Sequence, residues 1–519
     1  MTHLQPPTPE PEFLESGTAA AGPARSGRGK AVGLGIGAVV AAGAVAAGAW
    51  GVSKLTGGGP GAAEVLPASA LAYVSVDLDP AAGQKIEAFK TMKKFPALRT
   101  ELNLDSQDDL RKMLVEAIVE DDDCELSYAD DVEPWLGNKL GVAVLTGDEY
   151  PEPVVALQST DEDKAIDGVK RAVEECSPGE EVGVTSLDGY VLIGSSQQVV
   201  DDARKAASEK PLSEDDAFND QLDKVGGQGI VSFYVAKAAA IELTKVAEEG
   251  LGVDDLGGSQ PSLDQLDDFA DDFEGAAGTL RFSDGGVELE AVVTSPDVSA
   301  EGATTDVGNL PDTTVAALGF GVSTDQLDQL SENLSKSGLD EAGKEFEQQT
   351  GVSIDEAIRT LLGNGLVLAV DGTSDFSSLE SGPDGIKAGI RINGDPDKIT
   401  DLLDKTLGMA GGLPAPLTTE KSDDGVAIGV GEDYLKQLLE GGDLGSSAGF
   451  ESAVPHADEA SGVLYLDADG PNDWLVDLAT SGGGTDTDTI ENLRPLNTFG
   501  ASTWTEGGDG HFLLKLTTD

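Results

Sequence analysis

Histidine is almost missing from this 519-residue chain, and His456 and His511 are the only two outside the first thirty residues, where His3 lies. Nucleophilic hydrolysis needs a base beside a serine or cysteine, so this scarcity leaves few places for a Ser-His or Cys-His pair. Both histidines are expected on solvated surface. Cysteine is scarcer still, with Cys124 and Cys176 alone. Two thiols without a neighbouring His do not make a zinc site. In an oxidising compartment they are a disulfide candidate, and closing that loop is worth about 4 kcal/mol in the chain-entropy picture. Aromatic residues are only 5% of the chain, and 33 Lys and Arg face 95 Asp and Glu, a formal charge of -62. Such a chain repels nucleic acid and anionic headgroups, so no nucleic-acid partner is expected, and it favours cationic partners or mobile cations. A phosphate-cradling G-x-x-x-x-G-K-[ST] loop is absent from the sequence.

Long apolar runs are missing too, with one exception. Ala31 to Val52 is a 22-residue stretch without a charge, about enough at helical rise to cross a hydrocarbon core of roughly 30 Å. It is mostly Ala, Gly and Val, and is read as a single transmembrane helix. Arg25, Arg28 and Lys30 precede it while only Lys54 follows closely, which places the N-terminus in the cytoplasm and the rest outside. A cleaved signal peptide is the alternative, because Ala47-Gly48-Ala49 offers a small-residue cleavage site. Residues 1–30 read as a disordered cytoplasmic tail, 31–52 as the transmembrane helix and 53–63 as a flexible stalk. The tail's Glu10, Glu12 and Glu15 cancel its three basic residues, so the exported body carries the whole negative charge.

That body reads as two successive copies of one unit, 64–300 and 301–519, by landmarks recurring in order. Leu66-Pro67 before a strand matches Leu310-Pro311, and Leu136-Gly137-Asn138 matches Leu362-Gly363-Asn364. The acidic turn and helix at Asp161 to Asp167 match Asp395 to Asp401, with Asp161 and Asp395 placed to cap their helices. Asp188-Gly189 matches Asp424-Gly425, Ile230 to Val235 matches Val463 to Leu466, and closing hairpins turn at Gly285-Gly286 and at Gly508 to Gly510. Short Gly and Asp turns between strands imply antiparallel pairing, with helices covering the sheet. The expected fold is α+β: two tandem copies of a mainly antiparallel sheet with covering helices, after one N-terminal transmembrane helix.

The anchor, the phrase LPASALAYVSVDLDP at Leu66 to Pro80, and PWLG at Pro134 to Gly137 together resemble the bacterial domain of unknown function 3352 family of high-GC Gram-positive bacteria. The resemblance extends over the exported body from about Leu66. It implies a single-pass, surface-exposed protein of unassigned role and brings no catalytic or binding residues with it. The second copy departs from the pattern, with Leu361-Leu362-Gly363 where the first has Trp135-Leu136-Gly137.

Among so many carboxylates, close pairs are unavoidable. The sharpest are Asp77 with Asp79 and Asp467 with Asp469, alternate residues at strand ends that could supply some of the oxygens of a hard cation. Neither continues into an EF-hand loop; solvated acids that end a strand are the plainer reading, as for Asp121-Asp122-Asp123. Gly429-Val430-Gly431 echoes a dinucleotide turn but lacks the third glycine, so a tight turn accounts for it. The sequence therefore points to a membrane-anchored extracytoplasmic binding or scaffold module, with no cofactor, no catalysis, and an envelope protein or ligand as partner. A groove or face between the two copies is its expected place of action. A hydrolase using paired carboxylates and an acidic cation-binding surface protein are the alternatives.

Overall fold

The computed structural model describes residues 61–77, 82–97, 126–147, 150–177, 179, 181–248, 269–283, 285–295, 303–324, 326–328, 330–331, 340–362, 365–376, 385–410, 417–471, 474–481 and 487–519. The tail, the apolar run 31–52, the stalk up to residue 60, Asp79, Asp121 to Asp123 and Cys124 lie outside them. No helix among the described residues is long and apolar enough to cross a membrane.

Alternation of side chains sets up the sheet: in β1 (Ala72–Asp77) Tyr73 goes to one face and Val74 and Val76 to the other. The first half continues with β2 (Leu136–Leu145), β3 (Glu152–Ser159), β4 (Gly183–Leu187), β5 (Tyr190–Gly194), β6 (Val231–Ala236), β7 (Gly275–Ser283) and β8 (Gly286–Thr294). The second half has β9 (Thr314–Phe320), β10 (Leu366–Asp371), β11 (Ala388–Asn393), β12 (Thr418–Lys421), β13 (Gly425–Val430), β14 (Gly462–Asp467), β15 (Leu496–Glu506) and β16 (Asp509–Thr518). All sixteen pair antiparallel in one sheet, ordered β12-β13-β11-β10-β9-β14-β15-β16-β8-β7-β6-β1-β2-β3-β5-β4. Read outward from the β16/β8 seam, both halves give the same order, each strand's counterpart lying eight numbers away. The two halves thus meet edge to edge as a strand pair running from Asp509 opposite Thr294 to Thr517 opposite Gly286. A sheet seam stands where a groove between copies was expected.

Between the strands run α1 (Ala82–Met92), α2 (Glu162–Cys176), α3 (Gln197–Glu209), α4 (Asp216–Lys224) and α5 (Lys237–Glu248) in the first half. The second has α6 (Asp340–Thr350), α7 (Ile354–Leu362), α8 (Pro396–Ala410), α9 (Glu432–Glu440), α10 (Ala448–Ala453), α11 (Trp474–Ser481) and α12 (Thr487–Leu493). Asp161 caps α2, its Oδ1 accepting the Lys164 backbone N–H at 3.2 Å, and Asp395 accepts from the Lys398 backbone N–H at 3.2 Å at the start of α8.

Tyr73's face holds the larger core of each half. In the first, Phe218 of α4 meets Tyr73 and Tyr234 edge-on, at 5.5 and 5.2 Å between centroids. In the second, Phe450 of α10 meets Tyr465 at 5.0 Å. The buried Leu66 and Leu310 explain the opening landmark: their carbonyls accept the backbone N–H of Leu212 at 2.7 Å and of Leu444 at 3.0 Å, closing the layer over the sheet. On the opposite face α2 covers Trp135, Leu136, Val184 and Val191 with Ala165 and Val169, and α8 covers Ile392 and Val426 with Ile399.

Candidate functional site

The second face differs between halves at one place. In the first half, Val74, Val76, Leu140, Ile230, Val231, Leu280 and Leu289 are packed under Ala88 and Met92 of α1. Register carries these positions to the second half: Val76 opposite Leu140 and Val231 becomes Phe320 opposite Leu366 and Gly462. Leu280, opposite Val231 and Leu289, becomes Thr503, opposite Gly462 and Phe512. Ile230, Val231 and Leu280 are thus replaced by Ser461, Gly462 and Thr503, and side-chain volume is lost from the middle of the patch. A cavity of about 590 Å³ opens there, over β10, β9, β14, β15 and β16, with Leu318, Phe320, Leu366, Leu464, Ala501 and Phe512 on its walls.

A helical turn at 326–328 follows β9. Ser323 and Gln326 cap it reciprocally: the Ser323 backbone N–H donates to Gln326 Oε1 at 2.9 Å and the Gln326 backbone N–H to Ser323 Oγ at 3.3 Å. This places Gln326 and Leu330 at the cavity, Leu362 at the end of α7 joining them. Among the described residues no lining residue is charged. Phe320, Leu464 and Leu330 are 47, 40 and 38% exposed, so large apolar side chains here face open space. Their clustering is what separates a binding surface from scattered exposed leucines. Volume and lining fall in the range of small-molecule sites.

Among the described residues the carboxylate candidates do not assemble into a site. Asp77 pairs with Lys139 across β1 and β2, 3.8 Å apart. Asp467 has its carboxyl pushed up by burial and by the neighbouring Asp469, while its carbonyl accepts the Trp474 indole N–H at 2.6 Å. Asp467 is separated from Asp77 by six steps along the sheet. No cluster of three or more His, Cys, Asp or Glu able to hold a metal occurs among the described residues. Glu290 is the other carboxyl raised by burial, but it bonds Arg281 at 2.5 Å and lies on β8, with β16 and β15 between it and β14. Cys176, the last residue of α2, is disulfide-bonded.

Of the two histidines expected on solvated surface, His456 is half-buried and His511 is not on the surface. His511 is buried, and burial pushes its pKa down. The Trp504 indole is stacked between His456, at 4.1 Å, and His511, at 5.0 Å. Strand alternation alone offered no sign of this, because His456 reaches Trp504 from the turn after α10. Gly445 to Gly449 has the G-x-S-x-G spacing of a nucleophile elbow. Ser447 follows a 3₁₀ turn rather than a strand, and its Oγ accepts the Phe450 backbone N–H at 3.3 Å as the cap of α10. It is a helix cap in ordinary backbone geometry. The Gly429 to Gly431 turn is likewise structural, Gly431 entering α9 at φ 91°.

The cavity left no signal of its own in the sequence; aligning the two halves by register, and noticing Ser461, Gly462 and Thr503 against Ile230, Val231 and Leu280, could have found it. No curated protein matches the chain. Two crystal structures of TP0453 match it, forms IV and I, at 10 and 8% identity over 46 and 47% of this chain and 81 and 80% of theirs, with TM-scores of 0.22 and 0.19. Residues 34–185 match the profile of a protein family of unknown function, DUF3352, a span that includes the Leu66 to Pro80 phrase and PWLG and ends within β4.

Proposed function

We propose that this chain is a membrane-tethered extracytoplasmic binding protein that holds an apolar ligand on the second half of its sheet and performs no chemistry on it. The observation that carries the reading is that the described lining of the 590 Å³ cavity is uncharged in a chain with a net charge of -62. On so acidic a surface, an uncharged and mostly apolar hollow favours a ligand recognised by burial rather than by charge. Its large, partly exposed side chains are available to contribute about 25 cal/mol for each Å² of apolar area they lose to water on binding. Tethering follows from the apolar run 31–52 and its basic flank, and the disulfide at Cys176 suits an oxidising exterior.

The test is binding of the neutral solvatochromic dye Nile red to the full chain in nanodiscs, read as emission above that of empty nanodiscs. Saturable binding that Leu464→Glu weakens at least tenfold is expected. Binding unchanged by Leu464→Glu in a variant with native circular dichroism would overturn the site. Protease cleavage of the body on intact cells tests the orientation; a protected body would reverse it.

A further inference from the structure

The seam between the halves has a symmetry of its own. Register in the closing hairpins sets Gly286 opposite Ser283 and Asp509 opposite Glu506, which gives each β8 residue a counterpart on β16: His511 for Glu288, Leu513 for Glu290, Lys515 for Val292. Across the seam itself, Lys515 lies opposite Glu288 and His511 opposite Val292, so each pair is matched by the pair of its counterparts. Glu290 lies opposite Leu513, its own counterpart, and marks the axis. This is the register of an isologous two-fold contact, in which one patch of surface meets a copy of itself. Backbone geometry alone would let either half pair with its like.

The side chains do not share that symmetry. Within the first half Arg281 pairs with both Glu288, at 3.2 Å, and Glu290, at 2.5 Å, one cation for two carboxylates; Lys515 of the second half, 3.9 Å from Glu288, supplies the other. Charge balances only across the seam. At its end Lys224 of α4 pairs with Asp509 at 2.8 Å, and Asp509 also accepts the Thr294 hydroxyl at 2.6 Å. With the first half set against a copy of itself in this register, Glu290 would face Glu290, Glu288 would face Val292, and Gly286 would stand in place of Asp509. Like charges directly opposite destabilise a strand pair, and a half-buried carboxylate left without its cation adds to the cost. With the second half set against itself, Lys515 would face His511 and no acid. We infer that the seam is a two-fold dimer interface carried within one chain, a docking edge that admits the unlike half, its own or a second copy's, and rejects the like one. Glu288, Glu290 and Lys515 set that choice.

Exchange of halves tests the inference. A protease site is placed between residues 296 and 302 of the full chain, and the folded protein is cut. Two copies with different C-terminal affinity tags, one of them ¹⁵N-labelled, are then separated into halves in urea, mixed and returned to buffer. Capture by either tag is expected to recover first halves of both copies, one for each second half, and to recover second halves bearing the other tag at less than a tenth of that level. Lys515→Glu should lower recovery of the first half at least tenfold, and adding Glu288→Lys should restore it, while Lys405→Glu on α8 leaves it unchanged. With the tags moved to the N-terminus, Glu290→Leu is expected to raise pairing between first halves at least tenfold. Like pairs recovered as readily as unlike ones overturn the selection by charge. Halves of the cut chain that part before any urea is added, or that do not rejoin after it, overturn the docking edge. Undiminished recovery with Lys515→Glu, in a variant with native circular dichroism, removes the charged residues from it.

Discussion

The two halves of the sheet share a strand order and differ in what lies on their second face. Beside Trp135 the difference is one of balance. The indole is buried, its N–H donating to the Asp131 carbonyl at 2.6 Å, and it leaves no room at Gly168, where a Cβ would come within 2.5 Å of the indole nitrogen. In the second half Leu361 takes the Trp position, and α8 places Ile399 and Leu402, both buried, where α2 has Ala165 and Gly168. Volume removed from the strand side is returned from the helix side, as close packing requires. Across β14 and β15 Ser461, Gly462 and Thr503 are smaller than their counterparts, and the larger Phe320 and Phe512 in place of Val76 and Leu289 return that loss only in part. The lesson is that volume exchange is fuller beside Trp135 than across this patch.

Refilling the hollow is the most direct way to break the comparison. Ser461→Ile, Gly462→Val and Thr503→Leu together restore three of the first half's side chains, and Nile red affinity is expected to fall at least tenfold in a variant that keeps native circular dichroism. Retained affinity would separate the cavity from binding. Trp135→Leu is expected to destabilise the first half by about 2 kcal/mol, since large-to-small core changes leave a cavity. Adding Ala165→Ile and Gly168→Leu should recover about half of that, and amide hydrogen exchange of β2, β3 and β5 measures both. No recovery would break the volume-exchange account.

The caps sharpen the comparison at a smaller scale. Asp161→Ala and Asp395→Ala should each cost about 1 kcal/mol, seen as faster exchange in α2 and α8 respectively. An effect in one half only would show that the two caps are not equivalent. The smallest effect is a pH dependence that the first half lacks, because the histidines belong to the second. His511 faces Glu506, Asp509, His456 and Lys224, and burial keeps its folded pKa below the ordinary value near 6.5. The unfolded chain therefore binds the proton more readily, so stability present above pH 6.5 is lost as pH falls through the lower folded pKa. His511→Leu should flatten that slope in melts recorded from pH 7.5 to 5; an unchanged slope would assign it to other groups.

Collinear landmarks made the strand sequence legible, because each sits where backbone geometry needs a specific residue: the Leu before β1 and β9, the capping Asp of α2 and α8, and Gly285 and Gly508 at φ 76° and 96° in the closing turns. The candidate site was not legible. Its walls come from five strands spread between Leu318 and Phe512, and no local pattern marks which of two equivalent faces is covered. Of the acid pairs, which do stand out locally, Asp77 ends its strand beside Lys139 and Asp467 is desolvated at the end of β14.

By itself, then, the sequence determined the α+β class, the duplication and the charge, since turns, caps, side-chain alternation and formal charge are local properties. Only the tertiary structure decided that the halves join as β8 with β16, that His456 and His511 enclose Trp504, and that the second half holds an open trough. Each of these depends on which distant residues become neighbours across strands about 4.8 Å apart, and on whether the volume removed at one residue is refilled by another.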